Sequence, residues 1–495
     1  MADYKKRYAI SAGHQDTLEA AETILENGGN AVDAAIAAFL VSMVCEPCMS
    51  SPGGGAIALV KTPNEKIFSC DFFCQTPQQK KSKKEETFYP VTIDFGGTTE
   101  DFYIGAGSIA VPGSIAGVFR LHQDFGKMPL RELFFPAIEL ANNGAEIDSF
   151  QEYDIFLLED ILGQEAHGRK RFFTPQRLKK KGDRLHFPGM ADFFDVLSIE
   201  GHKLFYEGEI ASKIAEVCLE KGGHVTIDDL KNYKPVIEPA DLYQIRDLSI
   251  YTVKYPSKGG PLIAYILDQL SKEMIGNPFS SKHLEVLTRV IKEGVLIKSN
   301  PKELAKYIED RFGRIPLDSG ASKSGGTTHI TIEDATGMAI SLTTSIGEGS
   351  GVWIPDADMQ LNNMLGEEAL MENGFYNWRE NVRLMTMMTP TMVNKEREWL
   401  LTGTGGAGRI PYAIAQLIHY VFDLGMSLWE ATSSPRVFYQ DPHFEVERGF
   451  ERIEKDLFRY WDEHSLFFGG TNSIWSNGLR INAVADIRRL GSATS

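Results

Sequence analysis

Gly326-Thr-Thr-His-Ile-Thr-Ile-Glu-Asp-Ala-Thr-Gly-Met-Ala-Ile-Ser-Leu-Thr-Thr-Ser345 is the stretch on which the reading of the fold depends. Apolar residues alternate from Thr327 to Asp334, break at Asp334-Ala-Thr-Gly337, and alternate again from Met338 to Ser345. Period two around a short turn predicts a β-hairpin. Upstream, from Asn300 to Gly326, the composition becomes polar and glycine-rich, and Ser319-Gly-Ala-Ser-Lys-Ser-Gly-Gly326 reads as a flexible connector. A chain can be cut in such a segment without disturbing the core on either side.

Working outward, residues 14 to 45 carry helical spacing, interrupted by a turn at Asn27-Gly-Gly-Asn30. Ser50-Ser-Pro-Gly-Gly-Gly55 reads as a loop, Ala56 to Val60 as a short apolar strand, and Lys66 to Phe73 as its hairpin partner. The charge run Lys80 to Glu86 reads as a solvated loop. Pro112 to about Val295 is mostly helical in pattern, with polar loops near 165 to 190 and a strand at Asp247 to Val253. Trp399 to Thr402 gives a further strand and Arg409 to Phe422 an amphipathic helix, followed by about seventy irregular residues. Helices first, then a glycine-rich joint, then strands and a helix predict an α+β fold, not alternating βα units.

Composition narrows the functional classes. With 43% hydrophobic and 24% charged residues, the 495-residue chain has globular composition. Its formal charge of −16 argues against a nucleic-acid partner, which demands a basic face. The apolar stretch Ala34 to Cys45 is too short to span a bilayer, and the N-terminus Met1 to Tyr8 lacks a secretory pattern, so a cytoplasmic protein is expected. Five cysteines fit a reducing compartment. Cys45-x-x-Cys48 and Cys70-x-x-x-Cys74 invite a zinc reading, but Cys45 closes an apolar helix and Cys70 sits in an alternating strand, so inward packing is preferred and no metal is expected.

A threonine behind Gly-Gly at the head of a strand can do chemistry. Cleavage of Gly326–Thr327 would give Thr327 a free α-amine with a pKa of roughly 7.7–8.0, a general base carried by the nucleophile's own residue. Gly326 would allow the strained backbone that such self-attack needs. Seven segments then resemble, in order, motifs of the γ-glutamyltranspeptidases: 28–35, Glu46-Pro-x-x-Ser50, Gly53-Gly-Gly55, Val111 to Gly117, Gly325-Gly-Thr-Thr-His329, Leu361-Asn-Asn363 and Gly403-x-Gly-Gly406. The resemblance implies a four-layer αββα sandwich of the N-terminal nucleophile hydrolase type. It implies a precursor cut into a large subunit, 1–326, and a small one, 327–495, with Gly326 and Thr327 flanking the cleaved bond. Thr327 is then the nucleophile, oriented by a hydroxyl at Thr343 or Ser345, and the backbone at Gly405, Gly406 or Ala407 supplies an oxyanion hole. Gly403-Thr-Gly405-Gly-Ala-Gly408 also matches a dinucleotide fingerprint, but no further βα units follow it.

The resemblance thins at the substrate. Family members hold the α-carboxylate with an Arg in Asp-Phe-Arg; here the segment is Asp71-Phe72-Phe73. Their Ser-Ser pair is replaced by Met385-Thr386-Met387-Met388, leaving Asn362, Asn363, Glu367 and Thr386 as expected contacts, and Arg383 or Arg409 as substitute cations. Phe offers nothing for the bidentate hold of Arg, so glutathione is expected to be a poor substrate. The partners implied are a small γ-glutamyl or other acyl amide and the two subunits of one precursor, with a homodimer as one option; no cofactor is required. Three readings stand: an acylase or γ-glutamyl hydrolase, a poly-γ-glutamate or cell-envelope amide transferase, and an unprocessed scaffold relative.

Overall fold

The computed structural model describes residues 8–94, 99–313, 326–371 and 374–494. The predicted connector, including Gly325, lies outside the described residues, apart from Gly326 itself. Strands of the first part of the chain are β1 (Ala9–Ala12), β2 (Gly55–Lys61), β3 (Ile67–Phe72), β4 (Tyr89–Asp94), β5 (Thr99–Ile104), β6 (Val236–Pro239), β7 (Asp241–Ile245) and β8 (Leu248–Thr252). After Gly326 come β9 (Gly326–Glu333), β10 (Ala339–Gly347), β11 (Thr391–Lys395) and β12 (Glu398–Gly405). The C-terminal region adds β13 (Val437–Gln440), β14 (His443–Glu447), β15 (Phe458–Trp461), β16 (Gly470–Ser476), β17 (Ile481–Val484) and β18 (Ser492–Ala493).

These form a seven-stranded sheet, β18-β1-β9-β10-β2-β3-β6, and a six-stranded sheet, β17-β16-β12-β11-β8-β7, antiparallel at every pairing. The hairpin read from the opening stretch is β9–β10, at the centre of the larger sheet. Both sheets mix strands from before and after Gly326. The two pieces expected from cleavage therefore interleave and share their cores.

Alternation along β9 explains the packing. Ile330 and Ile332 point to one face, where they join Ala56, Ala58, Val60, Ile340 and Leu342 in an apolar cluster with helix α2 (Ala31–Cys45). All fifteen residues of α2 are buried, as a helix that is apolar all round must be, and Asn30 and Asp33 close its start in a capping box. It follows α1 (Gln15–Glu26) across the predicted turn. The opposite face of β9, with His329 and Thr331, meets the second sheet through a polar seam. Thr331 donates to the Asn472 carbonyl at 2.9 Å, Asn472 donates to the His329 carbonyl at 2.8 Å, and Ser341 donates to the Thr402 carbonyl at 3.1 Å. The second sheet packs with helices α4 (Gly259–Leu270), α5 (Ser281–Lys298) and α7 (Ile410–Phe422) in another apolar cluster; a short helix α3 (Ser149–Leu157) lies nearer the site.

Two expectations need correction, and one hairpin had no expectation. Part of the polar stretch after Asn300 is helix α6 (Pro301–Phe312): Pro301 opens it and Leu304 and Ile308 bury one stripe. The region after Phe422 is not irregular but supplies six strands among the described residues, four of them no longer than four residues. The β4–β5 hairpin beyond the charge run was also unread, since its strands are largely exposed and polar. Cys45 and Cys70 do pack inward, at the end of α2 and within β3. Among the described residues, no helix is long and apolar enough to cross a membrane.

Candidate active site

Thr327 is buried at the head of β9, beside a register shift between Gly326 and Thr327. The hairpin register sets Ser345 opposite Thr327 and Thr343 opposite His329. Ser345 Oγ donates to the Gly326 carbonyl at 2.6 Å and accepts the Gly347 N–H at 3.0 Å. Of the two hydroxyls left open by the sequence, Ser345 therefore holds the bond expected to be cut. Thr343 instead bonds the His329 ring at 2.8 Å, which also meets Thr331 at 2.8 Å and Ser341 at 3.2 Å. Burial lowers the His329 pKa to about 3, so this ring is neutral and braces the strands. On the other face, Thr328 donates to Glu46 at 2.7 Å, and burial raises the pKa of that carboxyl.

The Gly403–Gly408 segment explains its own glycines. A Cβ on Gly403 would fall on the His329 imidazole, and one on Gly405 would fall on the Thr327 carbonyl oxygen. Small residues here let the end of β12 lie against the head of β9. Gly406 then takes φ 119° and Ala407 φ 50°, two left-handed residues that turn the strand into α7. Because β12 runs antiparallel to both its neighbours, the parallel βαβ frame of a dinucleotide site is absent there, and that reading falls.

Gly326 and Gly406 border a cavity of about 730 Å³ between α3 and the β14–β15 region. Arg409 and Arg489 enter it, with Asp154, Glu100 and Glu348. Arg489 Nη1 donates to the Thr327 carbonyl at 2.8 Å. Its neighbour Arg488 is locked to Glu447 and Asp486, which fixes the turn that aims Arg489 inward. Glu348 Oε2 accepts the Gly326 N–H at 3.2 Å, so the backbone of the Gly326–Thr327 pair is held from three sides. Burial first, then neighbouring carboxylate charge, raises the pKa of both Glu348 and Glu367, which favours their neutral forms. Sequence reading missed Glu348, Asp154 and Arg489. None sits in a motif; only the tertiary fold brings them to Gly326.

The expected substrate contacts divide. Arg409 is in the cavity, its guanidinium 4.5 Å from the Phe467 ring centre, and Glu367 is buried beside Gly347. Asn362 is occupied with backbone: it accepts from Ala110 and Met364 N–H groups and donates to the Gly53 and Ala110 carbonyls. Asn363 likewise accepts the Glu348 N–H at 2.9 Å and donates to the Tyr103 carbonyl. Both asparagines brace loops through these backbone bonds. Thr386 Oγ accepts the Met388 N–H, tying its own loop. Phe73 is buried in one apolar cluster with Met364, Leu365, Met387 and Met388. Arg383 pairs with Asp71 at 3.2 Å, donates to the Phe73 and Lys234 carbonyls and lies over the Tyr233 ring.

His14, Asp16 and Cys45 offer ligand atoms within 4.8 Å of one another. However, His14 Nδ1 accepts the Asp16 N–H at the start of α1, and Cys45 lies 3.4 Å from the Thr17 hydroxyl, so both are already used in packing α1.

The Gamma-glutamyltranspeptidase family profile matches residues 17–293 and 283–495, on both sides of Gly326. The chain belongs to the gamma-glutamyltranspeptidase family. Among gamma-glutamyltranspeptidase relatives, the glutathione hydrolase proenzyme of Escherichia coli (strain K12) is 26% identical over 472 residues, covering 86% of this chain and 80% of that protein. The glutathione hydrolase proenzyme of Bacillus subtilis (strain 168) is 27% identical over 487 residues, covering 88% and 81%. The crystal structure of cephalosporin acylase from Bacillus halodurans superposes with a TM-score of 0.81 at 20% identity, covering 99% of this chain and 96% of that one, a likeness of fold.

Proposed function

We propose that the chain matures by cutting Gly326–Thr327 and then hydrolyses a small amide, or transfers its acyl group, through an ester on Thr327. The observation that carries this reading is the Ser345 hydroxyl on the Gly326 carbonyl, at the head of a rigid strand. In maturation, Thr327 Oγ attacks the Gly326 carbonyl carbon, and Ser345 steadies the charge that grows on its oxygen. The C–N bond breaks, the nitrogen of Thr327 takes the hydroxyl's proton, and Gly326 is left as an ester. Water hydrolyses that ester to a Gly326 carboxylate and a free Thr327 amine and hydroxyl.

In turnover, the amine takes the Oγ proton as Oγ attacks a substrate amide, then passes it to the leaving nitrogen. Backbone N–H groups around Gly406 face the resulting oxyanion. Water, or an acceptor amine, then releases the acyl group. In this reading the two sheets lie face to face between helical layers, a four-layer αββα arrangement. Support comes from the separate apolar clusters that join α2 to the first sheet and α4, α5 and α7 to the second.

The acyl donor is a related amide for which glutathione is a poor substitute. Phe73 sits in an apolar cluster where an α-carboxylate would need a cation, and the Arg383 guanidinium next to it is already engaged by Asp71 and by the Phe73 and Lys234 carbonyls. Intact mass with N-terminal sequencing tests the first step: a fragment beginning Thr-Thr-His-Ile is expected, and a protein that stays full-length on prolonged incubation sinks the proposal.

A further inference from the structure

The cavity beside Gly326 contains polar atoms for which the protein supplies no partner. Among the described residues, Arg409 Nε, Arg489 Nε and Asp154 Oδ2 are buried and make no hydrogen bond, and all three side chains border this space. Buried polar groups are rarely left unmatched unless something else completes them. Asp154 is the main counter-charge of Arg489, so these two balance one another. Glu445, another acid on the wall, is taken by the Trp461 indole N–H at 2.7 Å. Arg409 is different: Glu100 attracts it, but no carboxylate among the described residues forms an ion pair with it, and its guanidinium lies over the Phe467 ring, 4.5 Å from the ring centre. A stacked arginine is held in one orientation, with its fork ready for a planar anion.

Part of the wall is aromatic and apolar: Phe150, Tyr153 and Leu157 come from α3, and Tyr460 and Trp461 from β15. Gln440, Asp441, His443 and Ser465 add polar groups to it. The volume, about 730 Å³, lies in the range that takes a small organic molecule, roughly 300–1,000 Å³. Gly326, the acyl side of the bond cut in maturation, lines the same space. An incoming acyl group attached to Thr327 therefore extends in this direction.

Building on the proposed Thr327 chemistry, we infer that this cavity receives the acyl arm of the substrate, and that the arm carries an aromatic ring and a carboxylate gripped by Arg409. The ring packs among Phe150, Tyr153 and Trp461; the carboxylate meets the Arg409 fork. This ligand needs no α-amino-acid head, consistent with the apolar filling around Phe73.

Titration calorimetry on the full-length purified protein, with 4-phenylbutanoate and its neutral isostere 4-phenylbutanamide, tests this without requiring turnover. The carboxylate is expected to bind at least about tenfold more tightly. That preference should vanish in Arg409→Gln and return in part in Arg409→Lys, which keeps the charge but loses the planar fork. Equal affinity for the two compounds, binding of neither, or a preference unchanged in Arg409→Gln overturns the inference. If Arg409→Gln fails to fold, Arg409→Lys decides: a preference equal to that of the unaltered protein overturns it, and a reduced one upholds it. A denaturing gel on the same sample reports maturation separately, so a failure to cut at Thr327 counts against the Thr327 chemistry and not against the carboxylate site.

Discussion

At the scale of single residues, the proposed chemistry concentrates on Thr327 and the groups that hold its neighbours. On the proposed mechanism, replacing Thr327 with Ala removes the nucleophile of both maturation and turnover, so a single full-length band and no amidase activity are expected; two subunits from that variant would refute the assignment. Ser345→Ala leaves the Gly326 carbonyl without its 2.6 Å donor, and cleavage should slow by about a hundredfold, the loss typical of one oxyanion donor. Timed gels on freshly made protein would show it. Thr343→Ala should slow cleavage far less, because Thr343 contacts His329 and not Gly326.

His329 has a different part. Its pKa falls from about 6.5 in the unfolded chain to about 3 in the fold, so between those values the native state binds fewer protons than the unfolded one. Stability from this group is complete above pH 6.5 and is lost progressively as pH falls toward 3. At pH 4.5 the loss would be about 2–3 kcal/mol for this residue alone. Urea midpoints at pH 7 and 4.5 should therefore differ less in His329→Asn than in the unaltered chain. Equal pH sensitivity in the two would show that His329 is not held neutral.

At the scale of elements, the site depends on how closely β12 approaches β9. Gly403→Ala would drive a methyl group into the His329 ring, and separating the strands should cost about 1–3 kcal/mol, seen as a lowered Tm. Gly405→Ala meets backbone oxygen of Thr327, which cannot move aside like a flexible side chain, so a loss of maturation is expected along with the loss of stability. The hairpin β9–β10 was legible in the sequence because one face is apolar and its turn is compact. The choice between Thr343 and Ser345 was not legible. It rests on pairing register, and a shift of two residues leaves the alternating pattern unchanged. Helix α6 escaped notice because its buried stripe is only Leu304 and Ile308 within a charged sequence.

At the scale of the whole molecule, the two halves of the chain complete each other's sheets, so the proposed cut at Gly326–Thr327 would leave the pieces joined through shared sheets. The proposed recognition departs from that implied by the family motifs. Phe73→Arg would restore the sequence motif but bury a charge among Met364, Met387 and Met388, and an unpaired buried charge costs about 3–5 kcal/mol. The variant should be less stable and gain no glutathione turnover. A stable Phe73→Arg protein with a raised kcat/KM for glutathione would overturn the view that this pocket is closed.

By itself the sequence determined the central hairpin, the buried helix α2, the family, and Thr327 as the residue to test, because each is written in local periodicity or in contiguous motifs. Tertiary structure decided the rest. Glu348 and Arg489 hold the backbone of Gly326 and Thr327, Asp154 borders the same cavity, Asn362 and Asn363 turn out to brace backbone, and Arg383 is engaged by Asp71 and the Phe73 carbonyl. The physical reason is common to all of them. A polar side chain's role is set by which donors and acceptors surround it after folding, and a single sequence carries no record of those neighbours.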